Sequence, residues 1–176
     1  MGWVLVAIAI AAARVEAAAP TVEVSSRDEG VFIEAHAAGP GSPKWALRMP
    51  IDFATLSDFM PSVDSSYVVG RTDSSTLVRQ VVTSRLILPW TFRFKLEFMA
   101  REDMLRFRQV EGGMREYWGS WRVAEHVEGV EIVYAAQVHT RRRLPFFLMS
   151  YVVRRQVAQM MPALMEELAL REAGER

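Results

Sequence analysis

The most constraining feature of this sequence is a series of segments with strand-like alternation that ends in one long helical pattern. In residues 90–98 every even position is apolar, from Trp90 to Phe98, and every odd position is polar. A period of two is typical of a half-buried antiparallel strand. One face of such a strand is aromatic and the other is charged, so a second layer must cover the apolar face.

Further strands are predicted on both sides of this segment. Most connections between successive strands are short and polar or contain glycine, whereas a parallel crossover needs roughly a dozen residues or more. Neighbouring strands are therefore expected to be antiparallel and to form a meander. The predicted strands are 21–25, 31–37, 67–71, 76–88, 90–99, 105–110, 115–125 and 130–140.

Two short helices, 44–49 and 54–60, are predicted after the first hairpin. Pro50 separates them and Pro61 ends the second. Asp52 is expected to cap the second helix, because a short carboxylate accepts hydrogen bonds from unpaired backbone N–H groups.

A long helix is predicted over residues 144–173. Pro162 lacks a backbone N–H and is expected to kink this helix or divide it in two. The order of elements predicts an α+β fold in which a curved antiparallel sheet wraps around a long C-terminal helix. The apolar residues of the helix recur at spacings of about three and four and should lie on the sheet: Val153, Val157, Met160, Met161, Leu164 and Leu168.

The composition indicates one globular domain with a sizeable core. The chain has 176 residues, of which 51% are hydrophobic and 24% charged. Acidic and basic residues balance at 21 each, so no global field attracts nucleic acid or an anionic surface. The sequence has no cysteine, which excludes disulfides, thiolate metal sites and a cysteine nucleophile.

The N-terminal segment resembles a secretory signal peptide. Residues 2–13 are apolar and uncharged, which is shorter than the roughly 20 residues that span a membrane, and small residues suitable for cleavage follow at 15–17 and 17–19. We therefore assign residues 1–19 to a leader and 20–176 to the domain, and expect a periplasmic or secreted protein. Because no Lys or Arg precedes the apolar run, a buried first helix or a misassigned start stays open, and the protein would then be cytoplasmic.

The alternation of residues along the predicted strands, which we call strand parity, assigns many aromatic side chains to the inner face of the sheet. Small residues on that face, such as Gly119 and Ala136, favour unfilled volume under the helix, although an ordinary packed core fits the same periodicity. Amides and hydroxyls that point inward need hydrogen-bond partners. Their partners are either one another and ordered water, or the polar end of an apolar ligand. The predicted ligand-lining residues are Gln80, Ser84, Phe92, Phe94, Leu96, Phe107, Gln109, Tyr117, Trp121, Tyr134, Val153, Val157 and Met161.

Catalytic, metal and nucleic-acid sites have little support in the sequence. His36, His126 and His139 fall on different elements, and His139 has the outward parity, so no metal trio or nucleophile and base pair is visible. No two carboxylates can be assigned to one pocket. The basic residues of the outer face lack the interleaved aromatic residues that bind single strands. We therefore expect no catalytic residue, no cofactor, no metal and no nucleic acid.

The start of the long helix has the composition of a membrane-contacting segment. Residues 144–153 are apolar on all sides of the helix and are flanked by arginines on both sides. Such a segment suits a lipid surface, with cations near the head groups and aromatic rings below them. We interpret Arg142, Arg143, Phe146 and Phe147 as a membrane-contacting rim of the pocket, and the alternative is a helix start buried in the fold with a solvated arginine run.

Several short motifs along the chain match the pattern of a known family. They are Asp52-Phe53 followed by residues 59–61, the strand motif of residues 119–123, Tyr134, and Leu144-Pro145. In these motifs the sequence resembles the START-like (SRPBCC, helix-grip) superfamily, in particular its polyketide cyclase/dehydrase and lipid-transport branch, which includes coenzyme Q-binding proteins. The resemblance covers about residues 30–172. The resemblance implies a hydrophobic ligand held between sheet and helix.

Three functional hypotheses remain at this point. The first is non-catalytic binding or carriage of a hydrophobic small molecule, such as a lipid, a quinone or a polyketide-like compound. The second is a polyketide cyclase or dehydratase that uses the same cavity with internal acid and base groups. The third is a protein-interaction module with a packed core, and a measured cavity volume separates it from the other two.

Overall fold

The computed structural model describes residues 19–27, 30–84, 90–141 and 145–174. Residues 1–18 of the predicted leader lie outside the described residues, so the leader and the export of the chain stay predictions. Arg142 and Arg143 of the predicted rim, and Leu144, also lie outside them.

The described residues form an α+β fold with a curved, unclosed antiparallel sheet and a long C-terminal helix, as predicted. Short helices follow the first two strands, and a 3-10 turn at Met49–Ile51 connects them. The strands are β1 Thr21–Arg27, β2 Gly30–Gly39, β3 Val63–Arg71, β4 Thr76–Ser84, β5 Trp90–Ala100, β6 Met104–Gly112, β7 Met114–His126 and β8 Gly129–Thr140. The helices are α1 Pro43–Arg48, α2 Leu56–Phe59 and α3 Phe146–Glu172.

The eight strands pair in the order β1-β2-β8-β7-β6-β5-β4-β3. Strands β3 to β8 form the predicted meander, and the β1-β2 hairpin joins its end because β2 pairs with β8. All pairings are antiparallel. The alternation that predicted β5 is preserved: Phe94, Leu96 and Phe98 are buried, whereas Arg93 is exposed. The inner face of the sheet therefore carries the aromatic layer that α3 covers.

The helix α3 continues without a break through Pro162. Of the two expected outcomes, a kink or a division of the helix in two, the division does not occur. Its two halves meet the sheet differently. The second half buries Met161, Leu164 and Leu168 completely in the core. The first half faces a cavity, and its residues Val153 and Met160 are only partly buried.

The prediction that Asp52 caps the second helix is wrong. The helix α2 begins at Leu56, its cap position is Thr55, and no side chain caps it. The carboxylate of Asp52 instead accepts a hydrogen bond from Nη1 of Arg171 at 3.0 Å. A guanidinium donor near the end of α3 is a stronger partner for a carboxylate than neutral backbone N–H groups are.

Arg171 connects the end of α3 to the short helices. Its Nε donates to the buried Glu167 at 2.8 Å, and its Nη2 donates to Oγ1 of Thr55 at 3.0 Å. The guanidinium also lies 5.7 Å from the ring centre of Phe59. Burial lowers the pKa of Arg171, whereas the carboxylates of Glu167 and Asp52 raise it, and the net result is a raised pKa. The guanidinium is therefore charged at every relevant pH.

Candidate functional site

A cavity of about 620 Å³ lies between the inner face of the sheet and the first half of α3. Strands β2, β5, β7 and β8 provide one wall and the helix provides the other. Most of the lining is aliphatic or aromatic, and the polar groups are few. The lining residues are Ile33, Trp90, Thr91, Phe92, Phe94, Gly113, Met114, Tyr117, Tyr134, Val138, Thr140, Arg141, Met149, Val152, Val153, Gln156, Val157 and Met160.

Two tyrosine hydroxyls form a polar contact inside this cavity. The hydroxyl oxygens of Tyr117 and Tyr134 are 3.0 Å apart. Burial raises the pKa of both, and that of Tyr134 lies well above its ordinary value. Both hydroxyls therefore stay protonated at neutral pH. One of them donates to the other, so a single hydrogen bond uses one O–H donor and leaves the second O–H for another acceptor.

The position of the tyrosine pair follows from the strand register. Tyr117 lies opposite Val138 and Tyr134 lies opposite Trp121. The cross-strand pair between them on the same face is Gly119 and Ala136. The two tyrosines thus lie on the same face of the sheet, diagonally across this small pair.

The unfilled volume expected under the helix is present, but it does not lie beside Gly119 and Ala136. A Cβ on Gly119 would lie 2.3 Å from the carbonyl oxygen of Ala135 and 2.8 Å from Cζ of Phe107. The Phe107 ring therefore occupies the space above the glycine, and neither small residue lines the cavity. The open volume lies further toward the start of α3.

The predicted ligand-lining residues divide into groups. The cavity brings together Phe92, Phe94, Tyr117, Tyr134, Val153 and Val157. By contrast, Leu96, Phe107 and Met161 belong to the packed core. Gln80 and Trp121 line a separate pocket of about 100 Å³, which shares Gln156 and Met160 with the large cavity.

Two of the predicted polar residues, Gln80 and Gln109, have hydrogen-bond partners within the protein. Nε2 of Gln80 donates to Oγ of Ser66 at 3.3 Å, and Ser84 is buried at the end of β4. Nε2 of Gln109 donates to the carbonyl oxygen of Met114 at 3.0 Å. Its Oε1 is buried and has no partner among the described residues. Gln109 lies opposite Leu96, next to a register shift, and does not line the large cavity.

The interpretation of His139 as an outward, wet residue is wrong, because its side chain is only 5% exposed. The missing side chain of Gly30 makes room for the imidazole, since a Cβ there would lie 2.7 Å from the ring. Nη2 of Arg115 donates to Nδ1 of His139 at 3.4 Å, and the side-chain amide of Gln137 lies 2.8 Å from Nε2. Parity assigns the face of a strand but cannot show that a glycine in the next strand creates space.

His139 belongs to a second, polar pocket that the sequence did not reveal. This pocket has a volume of about 430 Å³ and adjoins the large cavity, with which it shares Val138, Thr140, Arg141 and Met149. Its other lining residues are Ser26, Gly30, Val31, Arg115, His139 and Phe146.

Exposed aromatic residues surround the start of α3. Phe147 is 73% exposed, Tyr151 is 51% exposed and Phe146 is 44% exposed. Trp90, which lines the cavity from β5, is also exposed. None of the described helices is long and apolar enough to cross a membrane. The described residues contain no group of three or more His, Asp or Glu side chains arranged to hold a metal ion.

Solved structures with the same fold come from several bacteria. The STAR-related lipid transfer protein from Xanthomonas axonopodis has a TM-score of 0.71 at 15% identity, over 88% of this chain and 96% of that one. The aromatase/cyclase ZhuI from Streptomyces sp. R1128 has a TM-score of 0.70 at 14% identity, over 80% and 94%. TTHA0849 from Thermus thermophilus has a TM-score of 0.69 at 22% identity, over 80% and 98%.

The sequence itself identifies the family. No curated protein sequence matches the chain. The family model described as "Polyketide cyclase / dehydrase and lipid transport" matches residues 48–165, which include α2, strands β3 to β8 and most of α3. The STAR-related lipid transfer protein and the aromatase/cyclase thus share this fold with the chain. The chain therefore belongs to the polyketide cyclase / dehydrase and lipid transport family.

Proposed function

We propose that this protein binds and carries a hydrophobic small molecule in the cavity under α3 without transforming it. The observation that supports the proposal best is an apolar cavity of about 620 Å³ with one buried pair of tyrosine hydroxyls. Its volume lies within the roughly 300–1,000 Å³ that is typical of small-molecule sites. Each square ångström of apolar ligand surface buried there would contribute about 25 cal/mol.

The tyrosine pair narrows the class of ligand. Since one O–H of the pair is not used within it, an oxygen acceptor on the buried part of the ligand would stabilise the complex. A carbonyl, quinone or alcohol oxygen meets this requirement, and a cation does not. Lipids, quinones and polyketide-like compounds all include molecules of this kind.

Binding without turnover is favoured over a cyclase or dehydratase activity by the residues around the cavity. Such an enzyme needs an internal acid and base. The described residues that line the large cavity include no Asp, Glu or His. The raised pKa values of Tyr117 and Tyr134 make these groups donors rather than bases at neutral pH. The volume of the cavity also argues against an interaction module with a solid core.

The proposal is tested by extraction of the protein, purified from its own host, with organic solvent and by mass spectrometry of the extract. We expect a retained apolar molecule with at least one oxygen. Val153→Trp, which fills the cavity from α3, should lower the retained amount about ten-fold or more. Ala158→Trp on the exposed face of α3 is the matched control and should retain the wild-type amount. Equal occupancy of both variants, or no retained molecule in the wild type, would contradict the proposal.

We further propose that the exposed aromatic residues at the start of α3 contact a lipid bilayer surface while the ligand is exchanged. Phe146, Phe147 and Tyr151 are exposed beside the cavity, and Arg154 and Arg155 are exposed on the following turn. Apolar rings with nearby cations suit an interface with anionic lipid.

Flotation with vesicles of neutral and anionic phospholipid measures this contact. The double variant Phe146→Ser and Phe147→Ser should lose most of its association with anionic vesicles, because it removes the most exposed apolar surface of the rim. Val110→Ser, which changes an exposed apolar residue of β6, is the control. Equal flotation of the wild type and the double variant would refute membrane contact through this surface.

A further inference from the structure

The polar pocket beside the ligand cavity has a chemistry that the proposed function does not use. The large cavity is mostly apolar, whereas the adjoining pocket of about 430 Å³ presents side chains of Ser26, Arg115, His139 and Arg141. Arg141 lines both spaces. A molecule that occupies the cavity and reaches Arg141 therefore also reaches the polar pocket.

Among the described residues that line the polar pocket, the two arginines are the ones that carry a permanent charge. Nη2 of Arg115 donates to Nδ1 of His139 at 3.4 Å, and Nη2 of Arg141 donates to the carbonyl oxygen of Gly112 at 3.1 Å. Neither of these acceptors is a carboxylate. The described lining of the pocket contains no carboxylate. Glu116 follows Arg115 and lies opposite His139 in the strand register, but it is exposed and does not line the pocket.

A strand irregularity brings Arg115 to this place. The register of β7 and β8 shifts between Met114 and Glu116, so Arg115 has no direct partner in β8. Bulges of this kind redirect a side chain and often occur near functional sites. Arg141 comes directly after the last residue of β8. The end of one strand and a bulge in its neighbour thus place both guanidinium groups at the same pocket.

We propose that the ligand is an anionic amphiphile, with its apolar tail in the large cavity and a carboxylate or phosphate head in the polar pocket beside Arg115 and Arg141. This inference rests on the proposed function, because it assumes that the cavity holds the tail. Guanidinium groups form short, charge-assisted hydrogen bonds with carboxylate and phosphate oxygens. An uncharged ligand would use the apolar cavity alone.

The experiment compares three probes by their displacement of an apolar fluorescent dye from the full chain at pH 8. Hexadecanoic acid has the tail and an anionic head, hexadecanol has a similar tail and a neutral head, and acetate has the head alone. The variants are Arg115→Gln, Arg141→Gln and their combination. Arg122→Gln is the control, since Arg122 is exposed on the same strand as Arg115 and its replacement changes the net charge by the same amount as each single variant.

We expect the wild type and Arg122→Gln to bind the acid about ten-fold more tightly than the alcohol, as one charge-assisted hydrogen bond implies. The combined variant should bind the two probes equally, and acetate should not displace the dye. Equal binding of acid and alcohol by the wild type would overturn the inference and leave the proposed function intact. An advantage of the acid that survives in the combined variant, or displacement by acetate alone, would also overturn it. Binding of neither long-chain probe would count against the proposed function itself.

Discussion

The buried hydroxyl pair of Tyr117 and Tyr134 is the most specific chemical feature of the cavity. In the ligand-binding function that we propose, two neutral hydroxyls in an apolar space would orient the ligand without requiring a charge on it. Ring packing fixes the pair: the Tyr134 ring centre lies 4.5 Å from that of Trp121, and the Tyr117 ring centre lies 5.0 Å from that of Phe107. The hydroxyls are therefore positioned before any ligand arrives, which reduces the entropy lost on binding.

The raised pKa of Tyr134 predicts a loss of stability at alkaline pH. In the unfolded chain a tyrosine loses its proton near pH 10, whereas burial keeps Tyr134 protonated in the folded protein. Above about pH 10 the unfolded state therefore binds fewer protons than the folded state, and the free energy of unfolding falls as the pH rises. Between pH 8 and pH 11, urea titrations should show a smaller decrease in the free energy of unfolding for Tyr134→Phe than for the wild type. Identical losses in the two proteins would show that Tyr134 does not cause this pH dependence.

Sequence parity predicted the inward direction of both tyrosines but not their contact. The contact depends on the register of β7 against β8, which places the two tyrosines diagonally across the Gly119-Ala136 pair. Parity was misleading for His139, because its burial depends on Gly30 in another strand. Single residues can thus be assigned to a face from the sequence, while their depth and their partners depend on strand pairing.

At the scale of elements, α3 combines two different environments. Its periodic apolar residues predicted the contact with the sheet, and the structure confirms that contact for Val157, Met161, Leu164 and Leu168. The periodicity could not show that the first half covers a cavity and the second half a solid core. That difference depends on residues distant in sequence from α3, such as Phe92 and Phe94, which line the cavity together with its first half.

The Arg171 cluster is expected to hold the second half of α3. Arg171→Ala removes the guanidinium from the buried carboxylate of Glu167 and from Asp52. Breaking a buried ion pair from one side costs about 3 kcal/mol or more, so the free energy of unfolding should fall by that amount in urea titrations.

The control for this prediction is Arg155→Ala on an exposed face of the same helix, which should change the stability by less than about 0.5 kcal/mol. A further variant, Arg171→Met with Glu167→Leu, removes both charges and should recover much of the lost stability. If Arg171→Ala lowered the free energy of unfolding no more than Arg155→Ala does, the Arg171 cluster would contribute nothing to stability.

At the scale of the whole molecule, the functional features gather at one end. The cavity, the polar pocket and the exposed aromatic residues all adjoin the start of α3, where Met149 and Arg141 lie. The order of strands and helix predicted a space between sheet and helix. It could not predict a polar pocket, because that pocket arises from a bulge in β7 and the end of β8, which no residue pattern marks.

The uneven packing of α3 predicts uneven protection of its backbone. Amides of residues 150–157 cover the cavity, and amides of residues 163–170 cover the core, so local opening should cost less free energy in the first group. Hydrogen exchange of the ligand-free protein should be about ten-fold or more faster in residues 150–157, which corresponds to about 1.4 kcal/mol. Uniform protection along the helix would contradict this expectation.

Pro162 stands near the boundary between the two halves of α3 and lacks the N–H that would bond to the carbonyl of Ala158. The helix can therefore loosen on one side of this residue while the other side keeps its contacts. For the ligand that we propose, the residence time would then be governed by the opening rate of half a helix and not by the melting of the protein. Substitutions in residues 150–157 that weaken packing would shorten this residence time while the melting temperature changed little.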